Sequence, residues 1–219
     1  MDARRKRHIF KLSEQTRLVL SQGDITSWEG DAIVNAANMR MLGGGGVDGA
    51  IHRAAGPELL EACRAVPEIR PGVRCPTGEA RITPGFNLAV KHIIHTVGPI
   101  YESASASAPP LASAYRSCLK LAIEHELKTI AFPAISTGVY GYPLDDAADV
   151  SLRAVLVGAA GGALSEVHFV LFGADTFSTY VSTATKLFGE PLPDDDASSE
   201  GSGFECRTSR AFRPKRQEL

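Results

Sequence analysis

The sequence predicts a single layered α/β domain, and three observations carry that expectation. Between about residues 17 and 188, short apolar runs alternate with amphipathic stretches, as strands and helices do in such a domain. Several apolar runs, Ile33-Val34 and His92-Ile-Ile-His-Thr-Val among them, are rich in β-branched residues, the composition of strands covered on both faces. The 219 residues suit one domain of about 150 to 200 residues with some tail.

Strands are expected at 17–20, 32–35, 80–82, 91–97, 129–133 and 167–172. Among the helices, one should begin near Val47 or Asp48, directly after a run of glycines. A second should open at Pro109-Pro110, where proline suits a first turn, and its apolar positions Leu111, Ala114, Tyr115, Cys118, Leu119 and Ala122 form one stripe at helical period. After Pro143, Asp145 and Asp146 occupy a first turn where the helix dipole favours acids, and Val150, Ala154 and Val157 should continue a buried stripe. Residues 175–188 read as a last helix. These elements divide the chain into an N-terminal extension at 1–14, a domain at 15–189 and a polar, Gly/Ser-rich tail at 190–219 that is expected to be disordered. The basic residues Arg207, Arg210, Arg213, Lys215 and Arg216 read as part of that solvated tail.

Composition removes several function classes. With 23 Lys and Arg against 25 Asp and Glu, the formal charge is -2, which argues against a nucleic-acid binder working through a broad basic surface. The apolar stretches fall short of the ~20 residues that span a bilayer. The basic start of the chain is followed by no apolar core of a secretory signal. Cys63, Cys75, Cys118 and Cys206 are scattered, with no Cys-x-x-Cys pair and no matching histidine spacing, so neither a zinc site nor a disulfide framework is indicated. His92 and His95 fall three apart in a strand, hence on opposite faces, and read as ordinary strand residues; no metal and no cofactor is expected. A soluble monomer in a reducing compartment, cytoplasmic or nuclear, fits these features.

Chemistry concentrates in two loops. In Asp31-Ala-Ile-Val-Asn-Ala-Ala-Asn-Met-Arg-Met-Leu-Gly-Gly-Gly-Gly-Val-Asp-Gly-Ala-Ile-His, a strand ends near Asn35, four glycines follow and a helix begins. Glycines let the backbone approach a ligand closely, and the free N–H groups of the helix start point at whatever lies there. An anion meets that description, and a pyrophosphate meets it best. The spacing matches neither the Rossmann fingerprint nor a phosphate-cradling NTPase loop. The second loop, Ser136-Thr-Gly-Val-Tyr-Gly-Tyr-Pro, repeats the arrangement between another strand and helix. Two such loops can close over opposite sides of one diphosphate, in the crevice at the strand ends of an α/β sheet. Tyr140, between two glycines, either covers the ligand or packs over its own loop.

Taken together, these segments resemble the macrodomain family, and within it the MacroD-type hydrolases. The resemblance runs in order through Gly23-Asp-Ile-Thr, Asp31-Ala-Ile-Val-Asn-Ala-Ala-Asn, Gly43-Gly-Gly-Gly-Val-Asp-Gly-Ala-Ile-His, Cys75-Pro-Thr-Gly-Glu-Ala-Arg-Ile-Thr, His92-Ile-Ile-His-Thr-Val-Gly-Pro and Ser136-Thr-Gly-Val-Tyr-Gly-Tyr-Pro. It implies a three-layer α/β/α fold with a central mixed sheet. The implied partners are ADP-ribose and ADP-ribosylated proteins, and the implied reaction is hydrolysis of mono-ADP-ribose esters on acidic side chains or of O-acetyl-ADP-ribose. The chain departs from the family pattern at Phe86-Asn-Leu-Ala-Val-Lys, where relatives often carry a Pro-Ala pair, and at Tyr142, a frequent Phe.

Residue roles follow from the same resemblance. Asp24 would accept a hydrogen bond from the adenine amino group, although a Gly-Asp turn reads the same way in sequence. Asn35 and Asn38 would hydrogen-bond the distal ribose, and Phe172 would stack on adenine or join the core. Further ligand contacts are implied for Ile25, Gly43, Gly44, Gly45, Gly46, Val47, Ser136, Thr137, Gly138, Val139 and Tyr140. Catalysis would rest on Asp48, with Asn38 beside it, through a water activated by Asp48 or by a substrate phosphate. An ordinary Asp, with a pKa of about 3.9, is ionised but feebly basic, and a neighbouring diphosphate should raise that value. His52, four residues on, faces the same side of the helix and can support the carboxylate. The rival to an enzyme is a non-catalytic module that reads ADP-ribosylated proteins.

Overall fold

A computed structural model describes residues 7–193. The basic cluster and most of the tail expected to be disordered, from position 194 onward, lie outside the described residues, as do positions 1–6.

Seven strands form one sheet in the order β1-β2-β7-β6-β3-β5-β4. They are β1 (Arg7–Lys11), β2 (Arg17–Gln22), β3 (Gly30–Ala36), β4 (Ala80–Pro84), β5 (Val90–Thr96), β6 (Thr129–Phe132) and β7 (Glu166–Leu171). The central pairings β2–β7, β7–β6, β6–β3 and β3–β5 are parallel, whereas β1 and β4 run antiparallel at the two edges. The five helices are α1 (Gly46–Ala55), α2 (Pro57–Ala65), α3 (Ala104–Glu124), α4 (Leu144–Gly158) and α5 (Ala174–Phe188).

Side-chain alternation divides the core in two. Ala32 and Val34 of β3 face Leu111, Tyr115 and Leu119 of α3 and the buried faces of α4 and α5, while Ile33 faces Ile51 and Ala55 of α1 and Leu59 of α2. The sheet is therefore mixed and lies between helical layers, the three-layer α/β/α arrangement expected. The parity that turns Ile33 toward α1 also turns Asn35 that way, and the site depends on it.

Four local expectations are corrected. Residues 7–11, placed in an extension, form edge strand β1, whose Ile9 and Phe10 are buried and whose Ile9 bridges to Leu192. Five residues with one apolar pair are too short for a periodicity to show. Helix α2 was not anticipated, although Pro57 after Gly56 and the buried Leu59 and Cys63 one turn apart mark it. Helix α3 starts at Ala104, not at the proline pair. Ser103 caps it by accepting from the Ala106 N–H (3.3 Å), and Pro109 and Pro110 lie inside the helix, where neither has an N–H to donate. In α4, Ala154 is buried and Val150 packs against the core as expected, but Val157 is 69% exposed; the buried face also takes in Ala147, Ala148, Ser151, Leu152 and Val155.

Candidate active site

Two glycine-containing segments face each other across a cleft at the carboxyl ends of the parallel strands. One compartment, about 340 Å³, is lined by Asn38, Gly44, Gly45, Gly46, Val47 and Asp48 on one side and by Ser136, Gly138, Val139 and Tyr140 on the other. A second, about 520 Å³, shares Gly46, Val47 and Gly138 with it and continues to Asp24, Ile25, Thr137 and Phe172. The expected site residues are thus brought together along one elongated cleft, with two exceptions. Asn35 lies beneath it, and Gly43 borders a neighbouring cavity of about 460 Å³ with Asn38, Met39, Arg40, Leu42 and Tyr140.

The first loop owes its path to glycine. Gly46 opens α1 at φ 58, a left-handed conformation that side chains disfavour. The helical ladder begins with the Gly49 N–H donating to Gly45 O (3.4 Å), so the N–H groups of the preceding turn are free at the cleft wall. A Cβ on Gly44 would sit 2.9 Å from Asp48 Oδ2 and 3.3 Å from Asn38 Nδ2, so only glycine fits there without crowding both side chains. Gly45 differs: its backbone is extended, and a Cβ would meet nothing within 4 Å.

The opposing loop is strained as well. Ser136 is buried at φ 68, rare for a residue with a side chain, and its hydroxyl has no partner. It fits because Gly98, after β5, has no side chain: a Cβ there would approach Ser136 Oγ to 2.2 Å and Ile135 Cγ2 to 2.5 Å. Gly98 itself lines the inner compartment and was not singled out from sequence, although His-Thr-Val-Gly-Pro places a glycine at a strand end. Arg53 of α1 lines the outer compartment and was missed too; nothing in the helix pattern distinguishes it from a solvated residue.

Asp48 lies at the floor, 3% exposed. Its Oδ1 accepts from Asn35 Nδ2 at 2.7 Å and has His52 Nε2 at 3.5 Å, while Oδ2 is buried with no partner. Burial raises the Asp48 pKa, against the Asn35 hydrogen bond and the His52 charge that pull it down. Asn35 is fully buried and spends its amide nitrogen on Asp48 and on His95 Nδ1 (3.1 Å), with its oxygen left unpartnered. Its geometry is that of a group under the carboxylate rather than a free ribose contact. Asn38 spans its own loop, donating to Gly43 O (3.0 Å) and accepting from the Arg40 N–H (3.0 Å), which leaves one amide hydrogen for the cleft.

At the outer end, Asp24 does form the turn: its Oδ1 accepts from the Thr26 N–H (2.9 Å) and hydroxyl (2.8 Å), which leaves Oδ2 for a ligand donor. Phe172 is 83% exposed just beyond β7, so it is a wall of the cleft and not a core residue. Tyr140 borders three cavities at the inner end, and its carbonyl accepts from the Tyr101 N–H (2.9 Å). The three described cysteines are buried, and burial pushes the Cys63 thiol up to about 11, far from a nucleophile. Among the described residues, no group of three His, Cys, Asp or Glu could hold a metal ion, and no helix is long and apolar enough to cross a membrane.

Known proteins are similar to this chain in sequence and fold. A family model described as Macro domain matches residues 34–151. The O-acetyl-ADP-ribose deacetylase of Salmonella gallinarum is 49% identical over 178 residues, which cover 80% of this chain and 98% of that protein. The Oceanobacillus iheyensis macrodomain with ADP superposes with a TM-score of 0.80 at 42% identity, covering 84% of this chain and 98% of that one. The Trypanosoma brucei macrodomain in complex with ADP-ribose does so at 0.67 and 44% identity, over 74% and 67% of the two chains.

Proposed function

The chain belongs to the macrodomain family, and from that premise we propose that it is a hydrolase that binds ADP-ribose and cleaves esters on its distal ribose. Its substrates are mono-ADP-ribose on acidic side chains of proteins and O-acetyl-ADP-ribose, which present the same ester chemistry to one site. The supporting observation is Asp48: a buried carboxylate with one oxygen tied down and the other unpartnered beneath Gly44, at the floor of a cleft built from two N–H-rich loops.

The diphosphate lies between the first turn of α1 and the Ser136–Tyr140 loop, held mainly by backbone N–H groups. Adenine occupies the outer compartment, with Asp24 Oδ2 toward its amino group and Phe172 against its face. The distal ribose then reaches Asn38 and Asp48. There Asp48 Oδ2 holds and orients a water, and its raised pKa makes it a better proton acceptor than an exposed aspartate. Water adds across the ester bond, leaving a free ribose hydroxyl and a carboxylic acid. The relatives named as O-acetyl-ADP-ribose deacetylases support the ester chemistry.

The test is release of ADP-ribose from a glutamate-modified protein by wild type and Asp48→Ala. Wild type should turn over, and Asp48→Ala should lose about 10²-fold or more in kcat while keeping ADP-ribose affinity within about threefold. Tight binding by wild type with no release from either substrate would establish the reader instead.

A further inference from the structure

Asp48 is the end of a buried chain of hydrogen bonds that starts on edge strand β4. Thr83 Oγ1 lies 2.9 Å from His95 Nε2, His95 Nδ1 lies 3.1 Å from Asn35 Nδ2, and that nitrogen lies 2.7 Å from Asp48 Oδ1. The four residues come from β4, β5, β3 and α1, and none is more than 5% exposed.

Donor and acceptor chemistry sets the direction of each link. A carboxylate only accepts, so the nitrogen of the Asn35 amide, not its oxygen, faces Asp48. The second hydrogen of that NH2 group points at His95 Nδ1, which must accept it. An imidazole that accepts at Nδ1 while neutral carries its proton on Nε2, and there it donates to Thr83 Oγ1. Full burial pushes the His95 pKa down to about 3, so the ring is neutral at ordinary pH, as the pattern requires. Cys63 Sγ, at 3.9 Å from Nε2, is the weaker partner.

We propose that His95, held in its Nε2–H tautomer by Thr83, is a positioning residue that fixes the Asn35 amide and through it turns Asp48 so that Oδ2 faces the cleft. Without an acceptor at Nδ1, nothing holds the second hydrogen of Asn35, and the amide is free to turn its oxygen toward the carboxylate, where the two would repel. His95 is therefore not an ordinary strand residue. A residue there only to fill the core would do as well without its two nitrogens, whereas both are used here. The catalytic consequence rests on the hydrolase reading above; the hydrogen-bond directions do not.

The test uses the full chain with His95→Leu, which removes both nitrogens, and His95→Asn, which keeps an acceptor near the Nδ1 position. A second pair is Thr83→Val and Thr83→Ser. His95→Leu should lower kcat on the glutamate-modified protein about 30-fold or more with ADP-ribose Kd within about threefold, and His95→Asn should recover most of that loss. Thr83→Val should lie between wild type and His95→Leu, and Thr83→Ser should match wild type. ¹⁵N spectra of the wild-type imidazoles should show His95 as the Nε2–H tautomer, and the titration of the Asp48 carboxyl, followed by ¹³C, should move in His95→Leu. An Nδ1–H tautomer, or a folded His95→Leu with wild-type kcat and an unmoved Asp48 titration, overturns the proposal. If His95→Leu does not fold, the Val and Ser variants of Thr83 decide it by the same readouts. If wild type releases no ADP-ribose, the hydrolase reading fails while the tautomer and the Asp48 titration still decide the chain.

Discussion

The two oxygens of the Asp48 carboxylate have unequal surroundings, and that asymmetry has consequences that pH can expose. Because burial raises its pKa, Asp48 takes up a proton at a higher pH than an exposed aspartate, near 3.9, would. The kcat of the wild type should therefore fall on the acid side with an inflection above that value, measured as a pH–rate profile with saturating substrate. Stability carries the same shift with a definite sign. A carboxyl whose folded pKa exceeds its unfolded pKa destabilises the fold above the folded pKa, and the penalty disappears as pH falls toward the unfolded value. Asp48→Asn should accordingly be more stable than wild type at pH 7, with the difference shrinking in acid. His95 has the opposite character. It is neutral in the fold down to about pH 3 but protonates near 6.5 when unfolded, so wild type loses stability as pH falls below 6.5. That loss reaches on the order of 2 to 3 kcal/mol by about pH 4.5, and His95→Asn should lose less in the same denaturant titration.

At the scale of elements, the glycines of the two loops are not interchangeable, and their neighbours predict different outcomes. Gly45 has an extended backbone and open space where a side chain would go, so Gly45→Glu should fold with an unchanged Tm and yet abolish ADP-ribose binding in calorimetry by setting bulk and negative charge beside the diphosphate. Normal affinity in that folded variant would remove the diphosphate from this loop. Gly98→Ala should act indirectly: its methyl would meet Ser136 Oγ at 2.2 Å and Ile135 Cγ2 at 2.5 Å, and the opposite loop must shift. A loss of about 1 to 3 kcal/mol in stability and a weaker Kd are expected together. What was legible in the sequence follows the same division. Strands β2, β3, β5, β6 and β7 and the two loops announce themselves through β-branched runs and glycine spacing, which are local properties. The start of α3 did not, because a proline pair reads as a first turn and the Ala/Ser run between Ser103 and Pro109 carries no apolar periodicity. His95 did not either: its importance arises from β3–β5 register, which pairs it with Asn35, and register is not a property of either strand alone.

Over the whole molecule, the cleft gathers the carboxyl ends of five parallel strands: Gly23 and Asp24 follow β2, Ala37 and Asn38 follow β3, Gly98 lies past β5, Ala134 past β6 and Phe172 past β7. An open α/β sheet provides a crevice at that edge, and here the start of α1 and the two glycine-containing turns line it. Under the proposed function, a chain of net charge -2 binds a doubly charged diphosphate through loop backbone, and seven of its 21 glycines (Gly43, Gly44, Gly45, Gly46, Gly49, Gly138 and Gly141) lie in these two segments. Fixed backbone dipoles at close range are screened by salt far less than separated exposed charges are. ADP-ribose affinity should then weaken by less than about threefold when salt rises from about 50 to about 500 mM, and Arg53→Ala, which removes an exposed cation from the cleft wall, should cost no more than about fivefold. A tenfold or greater loss with salt that disappears in Arg53→Ala would instead put a side-chain cation, and not the loop backbones, in charge of the diphosphate.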